Sequence, residues 1–488
     1  MTDKRSSPLL RRLLQPVDIA SLVYFRIIFG AIMLWEVYRY VTLGRVSRYF
    51  IEPDYAFTYL GFDWVQAWPG MGMHIHFYVM GLLSVFIMVG FLYRLSAALF
   101  FLAFTYIFLL EQARYLNHFY FVSLISFLMI CVPAHRALSV DGWLRGAAWR
   151  RATTPAWTLW ILRAEMGFVY FFAGVAKLNG DWLRGYPLNE WLAKPIAQIP
   201  VLGAYAHEQW PTLLFSWTGT ALDLFIVPAL LWKKTRPLAF ACAVAFHMMN
   251  SVFFKIGIFP WFSIAATLLF FDPDWPRRLL GHGRAQIADL AADYRFGTRE
   301  KIAAGFFIVW MTSQTLLPLR PFLYEGNTSW TEEAHRFSWH QKLRDKEGYV
   351  RFLLTDPSTG ESWAVDPRPL LTGRQYLKMT ARPYMILQFA HHLSDLASEE
   401  GKPRIEVRAS SMVSLNGREM QPMIDARVDL AAQPRRFLTR HPWILPLEVP
   451  REARWDQKSP PKHPVTLALI EAHRQRFLEA VDVAADKE

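Results

Sequence analysis

The stretch Tyr170-Phe171-Phe172-Ala173-Gly174-Val175-Ala176-Lys177-Leu178-Asn179-Gly180-Asp181-Trp182 closes an apolar run that starts near residue 159 and ends on a single lysine. A run of that length is what it takes to cross the roughly 30 Å hydrocarbon core of a bilayer, at about 1.5 Å of rise per residue. An ammonium at the end of such a helix is costly unless it snorkels to water, meets a partner or works as a neutral amine. Arg163, Tyr170 and Lys177 are spaced seven apart and share a helical stripe with Gly167 and Gly174. Small residues let a neighbouring helix approach closely, so this stripe is expected to face protein and not lipid.

Similar runs recur at 17–42, 75–92, 95–111, 117–133, 212–232, 237–254, 256–271 and 302–318. With 53% hydrophobic and 16% aromatic residues in 488, the reading is a polytopic α-helical membrane domain of about nine spans over residues 1–318. The first run contains Asp18 and Arg26 and lacks a small-x-small cleavage site, so it reads as a retained span and not a signal peptide. Hairpins are expected at Tyr93-Arg94-Leu95 and at Lys233-Lys234-Thr235-Arg236-Pro237, and 272–301 reads as an inner interfacial segment.

A net charge of +12 invites a nucleic-acid reading, but its location argues against one. After Pro318 there are 25 Lys+Arg against 23 Asp+Glu, and before it 28 against 18, so the excess belongs to the loops between spans. With the N-terminus inside, the inner loops carry 18 Lys+Arg and the outer loops 6. That bias predicts a cytoplasmic N-terminus and an extracytosolic C-terminal third, in a periplasm or an ER lumen. The partner is the lipid bilayer, and no nucleic acid is expected. Cys131 and Cys242 both lie in apolar runs and read as two buried small residues, so neither a disulfide framework nor a metal centre is expected.

Past Pro318 the pattern changes. Tyr349–Leu354, Ser362–Val365, Ile405–Ala409 and Met423–Leu430 alternate apolar and polar residues as strands do, with turns at 356–360, 401–403 and Asn416-Gly417. Residues 375–399 read as one helix with Leu377, Met385, Phe389 and Leu393 on its buried side. The expectation is an extracytosolic α+β domain over 319–455, built on an antiparallel sheet or sandwich. A linker and final helix follow over 456–488.

Polar groups inside the membrane domain fall at similar depth. Asn117 and His118 open the fourth span. His247 and Asn250 share a face of the seventh, and Lys177 ends the fifth at the same outer side. Helix capping for Asn117 and His118, a buried structural hydrogen bond for His247 and Asn250, and snorkelling for Lys177 compete with a functional role. Glu36, Arg163, Glu165 and Asp223 read as paired structural charges.

The Tyr170–Trp182 segment resembles the catalytic-lysine region of the vitamin K-dependent gamma-glutamyl carboxylase family, with its HTTM-type membrane domain. Further stretches are similar in order: Pro16–Leu22 with Phe25-Arg26 and Phe29-Gly30, Tyr93–Ser96, Asn117-His118, Ser139–Gly142, Phe246–Ser251 and Asp274–Arg277. In the C-terminal part the likeness covers Val413–Asn416, Asp425–Asp429 and Pro442-Trp443. The resemblance implies an enzyme that oxygenates reduced vitamin K, a hydroquinone, to its epoxide with O2. A strong base formed on the way removes a γ-proton from a protein glutamate, and the carbanion captures CO2. It makes Lys177 the initiating base and His118 a second catalytic residue. Asn117, His247, Asn250, Tyr170 and Phe171 become the quinol-binding set, with Phe168 through Phe172 an aromatic wall.

Three departures from the family accompany the likeness. Ala176-Lys177 stands where relatives have two lysines, the extracytosolic disulfide has no counterpart, and the aromatics before Val413-Ser414-Leu415-Asn416 are lost. Alternative readings are a quinol epoxidase that carboxylates no glutamate and a non-catalytic quinone- or lipid-binding membrane protein. A transporter would call for internal repeats that the sequence lacks.

Overall fold

The computed structural model describes residues 12–254, 256–281, 297–402, 404–436 and 439–450. The linker and helix expected over 456–488 and half of the 272–301 segment lie outside the described residues. Seven helices are long and apolar enough to cross a membrane: α1 (Ala20–Thr42), α2 (Gly72–Val89), α3 (Tyr93–Leu110), α5 (Trp157–Lys177), α6 (Gln209–Leu231), α7 (Arg236–Phe254) and α9 (Thr298–Leu319). Two shorter apolar helices, α4 (Asn117–Cys131) and α8 (Phe259–Thr267), bring the apolar helices near the expected nine. Although short, α4 runs antiparallel to the whole of α3: the Tyr93 hydroxyl donates to the Met129 carbonyl at 2.7 Å.

Close packing and buried charge hold the bundle. A Cβ on Gly30 would come within 2.6 Å of the Ser84 carbonyl, so α1 and α2 touch backbone to backbone. Arg26 is fully buried on α1 and donates to the carbonyls of Ala134 at 3.1 Å and Leu138 at 2.5 Å, pinning the α4–α5 connection. A short antiparallel pair, β1 (Pro16–Asp18) with β2 (Thr153–Pro155), ties the start of α1 to the start of α5. The α2–α3 hairpin closes at Gly90–Leu92, a turn earlier than expected, because Gly90 adopts φ +70 and Tyr93 already begins α3. The α6–α7 hairpin falls at 232–235, as expected.

The C-terminal domain is one four-stranded sheet in the order β4-β3-β5-β6, with no second sheet against it among the described residues. The strands are β3 (Lys346–Thr355), β4 (Ser362–Val365), β5 (Glu406–Leu415) and β6 (Gln421–Pro422). β3 and β5 pair antiparallel over their whole length, Lys346 opposite Leu415 and Thr355 opposite Glu406. Helix α11 (Pro383–Glu399) covers the sheet: Met385, Phe389 and Leu393 meet Phe352, Val407 and Val413 in one buried cluster.

Several expectations need correcting here. The helix read at 375–399 is two, α10 (Gly373–Met379) and α11, because Pro383 holds Arg382 extended. As a result Leu377 is 66% exposed and not part of the buried side. Met423–Leu430 is no strand: β6 stops at Pro422, Ile424 makes an isolated bridge to Ile444, and Asp425 folds the chain by accepting the Arg427 amide at 3.0 Å. Cys242 is exposed on α7 and not buried. Of the charges read as paired, Glu36 meets Arg39 at 2.6 Å. Arg163 instead donates to the carbonyls of Leu269 and Phe271, and Glu165 accepts from the Trp310 indole at 2.9 Å.

Polar contacts join the two parts. Arg418 grips Asp181 with two bonds of 2.7 Å, and Asn416 adds a third to the same carboxylate at 2.8 Å. Asn117 donates to the His340 carbonyl at 2.8 Å, and Gln375 to Glu111 at 2.7 Å. The loops after α5 and α3 are thereby fastened to the sheet domain.

Candidate active site

The apolar stripe of α5 meets α6 where glycine permits it. A Cβ on Gly174 would stand 2.8 Å from the Leu224 side chain and 3.0 Å from its backbone nitrogen. That close approach brings Lys177, at the last turn of α5, against Asp223 on α6. The two form a buried ion pair, with the side chains 8% and 5% exposed. The Lys177 ammonium also lies 5.4 Å from the Trp182 ring and 5.9 Å from Phe246. Trp182 is itself fixed to α6, its indole donating to the Thr220 hydroxyl at 3.0 Å.

This pair lines a cavity of about 460 Å³. The α5 side contributes Val169, Tyr170 and Ala173, α7 contributes His247 and Asn250, and the start of α4 contributes Asn117 and His118. The Tyr170 hydroxyl and His247 Nε2 share a hydrogen bond of 2.7 Å, which leaves the buried His247 Nδ1 without a partner. Phe259 flanks both His118 and His247, with ring centroids 5.7 and 5.8 Å away. His118 and Asn250 make no hydrogen bond among the described residues, so their polar atoms are available to a ligand. Asn117 is not: it is held by Tyr115 at 2.8 Å and by its bond to His340.

Phe171 is the exception among the expected residues. It is 49% exposed and does not line the cavity. One residue turns a helix by about 100°, so the position after cavity-facing Tyr170 points outward. Phe168 and Phe172 stack on each other and likewise stay off the cavity. The aromatic wall is therefore supplied by Phe246, Phe253 and Phe259 of other segments.

The opposite wall of the same cavity comes from the sheet domain and was not singled out from the sequence. Arg336, Lys342, Arg344, Lys346, Lys378 and Arg382 line it, with Glu332 and Asp345 the acids among them. Glu332 accepts two bonds from Arg344, at 2.5 and 2.6 Å, and meets Lys346 at 3.4 Å. Burial alone would raise the Glu332 pKa, but Arg344 and Lys346 hold it below the ordinary carboxylate range. Burial pushes Lys346 down to about 8 and, with Arg336 adding repulsion, Arg382 down to about 9. Lys378 falls to about 7 through burial first and then the charges of Arg382 and Arg374. Glu332, Ala334, Phe337, Trp339 and Lys342 all take positive φ, five of the ten non-glycine residues that do so among the described residues. The segment carrying this wall is thus bent sharply around the cavity, a conformation that side chains adopt only when their surroundings enforce it.

The class of protein follows from the fold and this site: a polytopic membrane protein with a cavity shared between its bundle and a sheet domain. Residues 14–275 match the family model described as HTTM domain. Residues 299–449 match the model described as vitamin K-dependent gamma-carboxylase, lumenal domain. The chain belongs to the vitamin K-dependent gamma-carboxylase family. No solved structure matches it.

Proposed function

We propose that this chain is a membrane enzyme that oxygenates reduced vitamin K and couples the step to carboxylation of a protein glutamate. The observation that carries the reading is one cavity with two chemically different walls. The bundle wall is apolar and holds Lys177 with Asp223, and the sheet-domain wall is cationic. Its residues fit a hydroquinone. Phe246, Phe253 and Phe259 offer flat apolar contact, and the unpartnered His247 Nδ1, His118 and Asn250 can meet ring oxygens. When bound, the hydroquinone would supply, with O2, the oxidation that yields a base strong enough for a glutamate γ-proton.

In this reading the proton shared by the pair shifts onto Asp223, and the neutral Lys177 amine so formed takes the hydroquinone proton as general base. Asp223 and the rings of Trp182 and Phe246 stabilise the ammonium that results. His118 and His247 hold the ring in place and stabilise negative charge on its oxygen. The cationic wall attracts the carboxylate of the glutamate substrate and orients it toward the bundle. The same reading takes residues 1–318 as the catalytic membrane domain, with the N-terminus cytoplasmic and the 319–455 domain extracytosolic. The inner-loop charge bias supports this orientation.

The test is a product assay on purified protein in nanodiscs, given reduced vitamin K, O2, labelled bicarbonate and a glutamate peptide, beside Lys177→Ala. Epoxide and label, both lost in the variant, are expected. Epoxide without label would reduce the function to quinol epoxidation. Neither product from folded protein, with a working positive control, would leave a quinone-binding protein.

A further inference from the structure

A second cavity, of about 730 Å³, lies at the other end of the membrane domain. It opens beside Thr153–Pro155, just before α5 begins, whereas Lys177 ends that helix. Roughly 30 Å of helix separates the two sites. Four arginines line this cavity, Arg94, Arg136, Arg145 and Arg151, with Asp141 the one acid among its lining residues. The Asp141 carboxylate is already engaged in capping α3, accepting the Leu92 and Tyr93 amides at 2.8 and 3.0 Å. None of the four guanidiniums pairs with a carboxylate among the described residues. Arg136 and Arg145 both lie over the Trp149 ring, at 4.2 and 5.0 Å, which fixes them facing the same space. Burial and the charges of Arg151, Arg145 and Arg94 push Arg136 below the usual arginine range, as expected of cations gathered without a counter-ion.

Two further observations point to a ligand. His135 lines the cavity, is 6% exposed and stacks on Tyr93 at 4.7 Å, yet its buried Nδ1 has no hydrogen-bond partner. An apolar track also leaves the cavity. Leu95 lines it, and Leu95, Leu99 and Leu102 are 55%, 44% and 60% exposed on α3. Positions four and three apart fall on one helix face, so these leucines form a stripe about 10 Å long toward the bilayer centre. Leu138, Trp143 and Leu144, exposed at 74%, 71% and 59%, place the flanking loop at the level of an interface.

We propose that this cavity binds the phosphate of an anionic glycerophospholipid in the leaflet away from the sheet domain, with one acyl chain along Leu95, Leu99 and Leu102. A cationic, aromatic-floored cavity continuous with an exposed leucine stripe matches both halves of such a lipid. A free anion would use only the first. The inference is independent of the chemistry at Lys177.

The experiment exchanges delipidated protein in detergent with phosphatidylglycerol, phosphatidylcholine or inorganic phosphate, and counts bound lipid by native mass spectrometry. Phosphatidylglycerol is expected to be retained at least tenfold over phosphatidylcholine and to raise the melting temperature. Removing one charge in Arg94→Gln, at an exposed position where folding is not at risk, should weaken retention by roughly fivefold. Arg136→Gln with Arg145→Gln should abolish the selectivity. Leu99→Gln should weaken lipid retention without affecting the charge-dependent step. Equal retention of the two lipids, or retention unchanged in folded Arg94→Gln, would overturn the proposal. Inorganic phosphate at millimolar concentration displacing the lipid would assign the cavity to a free anion instead.

Discussion

Lys177 and Asp223 are a buried pair that bridges α5 and α6 at the floor of the cavity, and each is the other's only ion-pair partner among the described residues. Taking charges out of water is costly unless each has a partner, so the two side chains stand or fall together. Lys177→Ala should lower epoxide formation by at least about 100-fold, the lower range for a general base. Asp223→Ala should in addition destabilise the fold by about 3–5 kcal/mol, because it leaves a cation unpaired. The double variant Lys177→Met with Asp223→Leu should regain stability but not activity. Melting in detergent beside product assays separates these outcomes. Wild-type activity in Asp223→Asn would remove Asp223 from the proposed base.

Gly174 sets the distance at which that pair forms. In Gly174→Val the added atoms would overlap Leu224 and push α6 away. The expected cost is about 1–3 kcal/mol of stability, with a larger fractional loss of activity. Gly167, whose Cβ would meet Val227 at 3.7 Å, should accept alanine with little change in either. Thermal melts of Gly174→Val and Gly167→Ala compare the two positions directly.

The cationic wall makes substrate affinity depend on pH. Lys378 is pushed down to about 7, so its charge fades as pH rises through that value, and KM for a glutamate peptide should rise with it. Lys378→Arg keeps the charge and should flatten that profile. The stability sign is opposite. Between about 7 and the unfolded value near 10.4, the unfolded chain binds more protons than the folded one, so this group's contribution to stability grows with pH. Rates measured from pH 6 to 9 at varied peptide concentration give the first trend, and melting over pH 7 to 10 gives the second.

Arg418 and Asp181 fasten the β5–β6 turn to the segment after Lys177 through two parallel bonds. Arg418→Lys keeps the charge but not the fork, and should loosen the turn noticeably. Arg418→Ala should cost about 3 kcal/mol. Hydrogen exchange at 415–420 and 179–184 should rise together in both variants. Unchanged exchange would show that the docking rests on other contacts.

Phe171 serves as the contrast. It faces away from the cavity, so Phe171→Leu should leave KM for the quinol unchanged and shift stability by less than about 0.5 kcal/mol. Tyr170→Phe, one residue earlier, removes the bond to His247 and should raise that KM. A quinol titration of both variants distinguishes the two faces of α5.

Long apolar runs read directly as helices, because a span needs only length and composition, and the shortness of α4 and α8 changed little in that reading. Strand alternation likewise located β3 and β4. It failed at Met423–Leu430, where Asp425 accepts the Arg427 amide, and the helical reading failed at Leu377, where Pro383 splits a helix whose pattern looked continuous. The polar residues at one depth, Asn117, His118, Lys177, His247 and Asn250, were legible because ionisable and amide groups are rare inside a bilayer.

By itself, then, the sequence determined a helical membrane domain, a sheet domain after it and a single lysine closing an apolar helix, since each depends on local pattern. Only the tertiary structure decided that Asp223 belongs to Lys177 rather than to an arginine, and that Phe171 is off the cavity. It also decided that Glu332, Arg344, Lys378 and Arg382 line the same cavity. Those residues lie some 150 to 200 positions beyond the lysine. Nothing in their spacing shows that a bent loop carries them across the mouth of the bundle, because that approach follows from packing between domains and leaves no periodic trace along the chain.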